Sequence, residues 1–409
     1  MVTKLSPHRI ARIITRLGVG GAERYVCSLT EQLDRQHYES WLLCGRVGSD
    51  ERQWSELARE SGVQPVYIDH LRREPGPADF RAIVSIRRLL RTIRPAIVET
   101  HTAKAGTLGR IGALLAFGAA AETPRLIHTF HGHVFQGYFN GPVSTVLIAI
   151  ERQLARFTDI IVTVSETVRR ELIDQYRISS ASKVRVVPLG FDFAWLKKIA
   201  EYRGWLRARL AASERTVIVG VVGRFAKVKN TQLAVRAFAK MVKAKQIDAR
   251  LVLIGDGELH EALKALTREL EIEHLVMFCG WVLERAQIYS DLDVTCLASI
   301  NEGSPVCLIE SLAAGIPVIA TNVGGVADTV QIGTDGELVP SGDEEYFTAA
   351  LCRAAQRSSW VPSERRRVLR ERHSIARMIA DVKTIYEEVL CSEAPPAARR
   401  IATEGQSAV

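Results

Sequence analysis

Short apolar runs alternate with helix-length amphipathic segments along this chain, and the alternation occurs twice with a break between. Strands are expected at Arg9 to Thr15, Glu39 to Cys44, Gln64 to Ile68, Ala96 to Glu99, Arg125 to Phe130, Asp159 to Val164 and Val184 to Pro188. Helical patterns separate them, the first opening in GVGGAER and running through Leu33. Strands spaced by helices must run parallel, because each crossover helix carries the chain back to the starting edge. Leu189 to Gly204 has no strand signal and reads as a linker with a short helix. A second series follows at Thr216 to Val222, Arg250 to Ile254, Val276 to Cys279, Val294 to Leu297 and Val318 to Thr321, and an amphipathic helix from Ser374 to Leu390 closes it. At 409 residues the chain exceeds one ordinary core. The fold class expected is α/β: two doubly wound, Rossmann-like domains facing across a cleft. They span 1–195 and 205–373, with a helix 374–390 returning to the first domain and a disordered tail over 391–409. Ligands of such sheets bind at the carboxyl ends of the strands.

Composition excludes several classes. The longest strongly apolar run, Ile111 to Ala121, is far short of the roughly 20 residues a spanning helix needs. The first residues, MVTKLSPHRIARII, contain no signal-peptide core. Seven scattered cysteines without a C-x-x-C pair argue for reduced thiols in the cytoplasm, not for a disulfide framework or zinc site. Charge is uneven. Residues 1–205 carry 29 Lys and Arg against 20 Asp and Glu, while the remainder carries 25 against 26. A basic first half suits an anionic partner such as membrane headgroups or a lipid pyrophosphate. Nucleic acid is not expected, because no recognition helix or aromatic–basic interleaving accompanies the charge.

Several motifs fall at the expected strand ends. In NEGSPVCLIESLAAG, residues 301–315, Ser304 reads as an N-cap, Pro305 as the first helical residue, and Gly315 followed by Pro317 as the stop. A helix N-terminus attracts anions. With Glu302 before it and Glu310 in its second turn, it suits a ligand that is part phosphate and part polyol; the simpler reading makes Glu302 a dipole-favoured acid. Arg224 ends a strand and Lys229 precedes a candidate N-cap, Asn230. Together they form either a metal-free pyrophosphate clamp or two solvated loop charges. Gly18 to Glu23 resembles a dinucleotide fingerprint, but Glu23 stands where the third glycine belongs, so NAD is not expected. Gly20 and Gly21 then shape a turn for a ligand, or serve helix–sheet packing alone. His128, His131 and His133 lie at and after the fifth strand without a nearby strand-end carboxylate to complete a metal set, so no metal is expected. His131 could bond a sugar hydroxyl or be an ordinary loop histidine. In Arg81 to Arg94, Ile83, Ile86, Leu90 and Ile93 form a stripe, with Arg87, Arg88, Arg91 and Arg94 elsewhere on the helix. The stripe could lie on an anionic membrane or pack a crossover helix on its sheet.

Taken in order, GGAER at Gly20 to Arg24, VVPLGFD at Val186 to Asp192, VGRFAKVKN at Val222 to Asn230, IGDGEL at Ile254 to Leu259 and CLASINEGSPVCLIESLAAGIPVIATNVGG at Cys296 to Gly325 resemble the retaining glycosyltransferases of family 4, which have the GT-B fold. THTAKAGTLGRIGA and HTFHGHVF resemble the subgroup acting in capsule, lipopolysaccharide and exopolysaccharide assembly. The resemblance implies a cytoplasmic enzyme, peripheral on the inner face of the plasma membrane. It would move a hexose or N-acetylhexosamine from a nucleotide-diphosphate sugar, UDP-linked, to a lipid-linked or cell-surface glycan precursor, with no cofactor and no metal. It implies that Arg224 and Lys229 bind the donor diphosphate, Glu310 the ribose, and Glu302 with the Gly303, Ser304, Pro305 and Val306 amides the sugar and phosphate. His131 would meet the sugar near the reacting carbon, and the Gly20–Gly21 turn would shape the junction of donor and acceptor. Two positions depart from the family pattern: Leu189 replaces an asparagine, and Ala327-Asp328 replaces a Pro-Glu pair. A sugar-nucleotide epimerase on the same fold and a non-catalytic nucleotide-sugar-binding protein are the alternatives.

Overall fold

The computed structural model describes residues 6–18, 20–46, 62–118, 120, 122–132, 135, 141–245, 247–356, 361–393 and 396–397. The chain divides into two compact units, one formed by residues 1–190 with 375–409 and the other by residues 191–374.

Among its described residues the first unit is built on seven strands, β1 (His8–Ile14), β2 (Tyr38–Cys44), β3 (Val66–Tyr67), β4 (Ile97–His101), β5 (Arg125–Phe130), β6 (Ile160–Thr163) and β7 (Val184–Val186). All pair in parallel, in the order β3-β2-β1-β4-β5-β6-β7. Helices on both faces explain why β4 and β6 are buried along their whole length; β6 reads as an apolar run, whereas β4 carries Glu99, Thr100 and His101 into the interior. The order reverses between β1 and β4, and at such a switch point neighbouring loops leave the sheet in opposite directions and open a crevice.

The crossover helix Ala78–Ile93 settles the reading of its stripe. Ala82, Ile86, Leu90 and Ile93 are buried against Ile13, Val98 and Ala113 in the sheet core. The stripe is therefore a core face and not a membrane face, while Arg81, Arg88, Arg91 and Arg94 stay exposed. The helix Ile375–Leu390 belongs to the first unit, with Met378, Val382, Ile385, Tyr386 and Val389 buried. Of the tail expected to be disordered, Ser392 accepts from Arg125 at 2.8 Å, and the buried Ala397 donates to Asp159 at 2.8 Å. The expected disorder does not hold for these residues, because backbone hydrogen bonds tie them to β5 and the β6 entry. Residues 398–409 lie outside the described residues, as does His133.

Among its described residues the second unit has six strands, β8 (Val217–Val222), β9 (Ala249–Ile254), β10 (Val276–Gly280), β11 (Val294–Leu297), β12 (Val318–Thr321) and β13 (Gly336–Val339). They too are all parallel, in the order β10-β9-β8-β11-β12-β13, with the switch point between β8 and β11. β13 has no counterpart among the expected strands. The core of this unit includes Val219, Leu251, Phe238 and Phe347, all essentially inaccessible, and each such side chain contributes about 1.5–3 kcal/mol relative to exposure. Both sheets match the doubly wound class expected from the alternation.

Candidate functional site

Two loops leave the switch point of the second unit. One runs from β8 through Gly223 and Arg224 to a short 3-10 turn, Lys227–Lys229, and the helix Thr231–Lys245. The other runs from β11 through Ser299 and Glu302 to the helix Val306–Ala314. A backbone bond ties them, Ile300 N donating to Val228 O at 2.8 Å. This brings Lys229 and Glu302 together although 73 residues separate them. The Lys229 Nζ donates to Glu302 Oε1 at 2.6 Å, and Ser299 Oγ donates to the same oxygen at 2.6 Å. The Glu302 side chain is 8% exposed and that of Lys229 30%, so the pair is nearly enclosed at the acid and half-buried at the lysine.

Glycines let the surrounding backbone close in. Gly324 has φ +46°, and a Cβ there would stand 1.9 Å from the Glu302 carbonyl oxygen. Gly325 N donates to that oxygen at 3.0 Å. The Gly324–Gly325 turn thus grips the Glu302 backbone while Lys229 and Ser299 hold its side chain. Gly255, with φ +135°, lies so close to Gly223 that a Cβ would meet the Gly223 oxygen at 2.0 Å. The IGDG segment is therefore a support for the β8 exit loop.

The helix after Glu302 starts one residue later than expected. Pro305, at φ −80° and ψ 90°, is the N-cap, and its oxygen accepts from Leu308 and Ile309, each at 3.1 Å. Ser304 does not cap: no side-chain cap bond forms. Proline lacks an N–H, which costs nothing at either position, so its presence does not distinguish N-cap from first residue. Gly315 closes the helix in the left-handed conformation, φ 94°. The N–H groups of Val306 and Cys307 precede the first intrahelical donor, as helix N-termini require. Burial pushes the Cys307 thiol up to about 12, so it stays neutral beside this terminus.

Glu310 lies in the second turn and is 4% exposed. Tyr289 Oη donates to its Oε2 at 2.9 Å, and Arg285 Nη1 stands 3.6 Å from Oε1. Trp195 packs beside both, 5.4 Å from the Tyr289 ring and 5.6 Å from the Arg285 guanidinium. Ser299, Tyr289, Arg285 and Trp195 were absent from the sequence reading. No local spacing marks them, since each is brought to a glutamate by tertiary packing.

In the first unit, Gly20 is the N-cap of the helix Gly21–Gln32, with an extended backbone at φ −172°. Neither Gly20 nor Gly21 adopts a positive φ. The expected tight turn is thus an extended helix entry. His131 follows β5. Its Nε2 lies 3.1 Å from His101 Nδ1, and the Tyr25 ring meets it edge-on at 5.0 Å. His128 is not at the strand end but inside β5, buried, with Nδ1 2.9 Å from Thr100 Oγ1. Burial holds His101, His128 and His131 well below the ordinary histidine range. Beneath them, Arg12 Nε donates to Glu99 Oε2 at 3.0 Å and its Nη2 donates to Tyr386 Oη at 2.9 Å, while Tyr386 Oη donates to Glu99. Arg12 and Glu99 had a sequence signal: a charge inside a doubly covered strand must be paired. Among the described residues, no group of three or more His, Cys, Asp and Glu is arranged to hold a metal, and no helix is long and apolar enough to cross a membrane.

Comparison with known proteins agrees with this architecture. Residues 19–195 match the family model described as Glycosyltransferase Family 4, and residues 216–357 the model described as Glycosyl transferases group 1. The chain is 27% identical, over 84% of its length and 87% of the relative's, to an Escherichia coli UDP-Gal:alpha-D-GlcNAc-diphosphoundecaprenol alpha-1,3-galactosyltransferase. It is 29% identical, over 81% of each chain, to a D-inositol 3-phosphate glycosyltransferase of Kineococcus radiotolerans. The crystal structure of Anabaena HepE in complex with UDP and glucose superposes on 93% of this chain and 100% of its own with a TM-score of 0.75, at 18% identity.

Proposed function

The chain belongs to the glycosyltransferases of family 4 and has the GT-B fold, and from that premise we propose that it transfers a hexose or N-acetylhexosamine, with retention, from a UDP-sugar to a lipid-linked or cell-surface glycan precursor. The observation that carries the reading is the Lys229–Glu302 pair at the carboxyl ends of β8 and β11. A half-buried cation, next to a helix N-terminus and near Arg224, offers charge where a nucleotide diphosphate departs. In this reading Lys229 and Arg224 neutralise the leaving diphosphate without metal. Glu302, held through both backbone and side chain, bonds sugar hydroxyls together with the N–H groups of Gly303, Ser304 and Val306, while Pro305 shapes the loop. Glu310 takes the ribose, and Gly20 and Gly21 border the acceptor. His131 bonds the transferred sugar. No protein nucleophile is assigned, since the departing diphosphate itself assists attack on the same face.

The UDP and lipid-linked features draw support from relatives described as using UDP-galactose with a diphosphoundecaprenol acceptor and as binding UDP. The exposed Arg81, Arg88, Arg91 and Arg94 support peripheral attachment to anionic membrane, with the enzyme in the cytoplasm. The test is turnover of UDP-, GDP- and ADP-sugars in EDTA, with anomeric configuration read by NMR. Transfer from a UDP-sugar with retention is expected. Epimerised donor without transfer would favour the epimerase, and no turnover with any donor would refute an enzyme.

A further inference from the structure

His131 does not stand alone, and its neighbours determine which of its nitrogens carries the proton. The inference rests on the proposed role of His131 at the sugar. We infer that His101 is a positioning residue that fixes the ring orientation and tautomer of His131, leaving His131 Nδ1 as a hydrogen-bond acceptor for a substrate hydroxyl.

His101 ends β4, on one side of the switch point, and is fully buried. Its Nδ1 lies 3.1 Å from His131 Nε2, and its Nε2, buried without a hydrogen-bond partner among the described residues, faces the Glu99 carboxylate electrostatically, 3.6 Å from Oε1. Glu99 cannot turn away. Arg12 and Tyr386 hold its other oxygen, and Thr129 Oγ1 lies 3.5 Å from Oε1. Two neutral imidazoles that meet through ring nitrogens need one donor and one acceptor. The carboxylate decides which is which. A proton on His101 Nε2 is attracted to Glu99, whereas a lone pair there would be repelled. His101 is therefore protonated at Nε2 and accepts through Nδ1, so His131 donates from Nε2. The lone pair of His131 is left on Nδ1, a buried atom with no hydrogen-bond partner among the described residues. Burial and the nearby Arg12 keep His101 neutral, and burial with His101 keeps His131 neutral, so neither ring gains a second proton that would abolish the assignment. A ligand meeting Nδ1 must offer a hydrogen, as a sugar hydroxyl does and a carbonyl does not. The chain of contacts starts at Tyr386, so the helix Ile375–Leu390 supports the ring it does not touch.

Heteronuclear NMR of the imidazole nitrogens reads both tautomers without any need for turnover. Protonation at Nε2 of both rings is expected in the wild type. In His101→Asn, whose amide oxygen can still accept, His131 keeps its Nε2 proton; in His101→Leu that preference is lost. With a UDP-sugar, His101→Leu is expected to lower kcat about 10–100-fold, the usual range for removing a group that orients a functional ligand. The donor KM should stay within about threefold, because in the proposed reading Arg224, Lys229, Glu302 and Glu310 hold most of the donor and His131 contributes one bond, and His101→Asn should recover most of kcat. A wild-type His131 protonated at Nδ1 would overturn the inference. So would wild-type kcat in His101→Leu, or equal losses in the Asn and Leu variants, which would mark simple packing. If the wild type turns over no sugar nucleotide, the functional reading falls while the tautomer measurement still decides this one.

Discussion

Replacing Gly324 by alanine should disable the second unit's site without removing a single functional group. A Cβ there would lie 1.9 Å from the Glu302 carbonyl oxygen, and ordinary contact begins at 3.4 Å, so turn and carbonyl must part by about 1.5 Å. Parting breaks the bond from Gly325 N to Glu302 O. The left-handed φ of +46° costs alanine about 1–2 kcal/mol and the lost bond about 1 kcal/mol, together about 2–3 kcal/mol of stability in this unit. Glu302 is then displaced from Lys229 and Ser299, and a shift on the order of 1 Å in a positioning group costs roughly a hundredfold in kcat. Urea denaturation followed by tryptophan fluorescence reads the first quantity, and initial rates with a UDP-sugar read the second. A variant with wild-type stability and kcat within about twofold of wild type would refute the claim that this turn sets the position of Glu302.

Other consequences are equally direct. His101 and His128 are buried, His131 is half-buried, and all three are held neutral, so the unfolded chain binds more protons below its histidine pKa of about 6.5. Stability of the first unit should be full above that pH and fall as pH drops, by up to about 1.4 kcal/mol per pH unit per ring; denaturation curves that do not change between pH 7 and 5 would contradict this. Tyr386→Phe leaves Arg12 Nη2 and Glu99 short of a buried partner and should cost about 1–3 kcal/mol, read as a lower denaturation midpoint. The Cys307 thiol, half-buried and pushed up to about 12, carries little thiolate at pH 8. It should resist alkylation in the folded protein while the exposed Cys391 reacts, as peptide mass spectrometry would show.

Much of the fold was legible because the sheets are parallel and covered on both faces, which makes strands such as Val294–Leu297 stand out as apolar runs. β13 was not legible. GELV lies at a sheet edge with only Val339 buried, so it has neither an apolar run nor alternation. The membrane reading of the helix Ala78–Ile93 and its core reading share one amphipathic pattern, and only packing separates them. At the site, Lys229 and Glu302 were visible as charges at strand ends, whereas their direct pairing depends on the parallel neighbours β8 and β11. Tyr289 and Arg285 gave no signal, because a helix residue and its neighbour along the chain look alike until the fold turns them toward Glu310. Arg12, Glu99 and His101 did carry one: charged and polar side chains inside strands that had to be buried.

The central claim is that Lys229 and Glu302 mark a site for a nucleotide-diphosphate sugar. Calorimetric titration of wild type and Lys229→Met with UDP and with uridine, both in EDTA, tests it most directly. A charge-assisted hydrogen bond is worth about 1.5–3 kcal/mol, so the variant should bind UDP about ten- to a hundredfold more weakly, with uridine affinity unchanged. Equal UDP affinity in the two proteins, or no UDP binding by the wild type at millimolar concentration, would contradict the account.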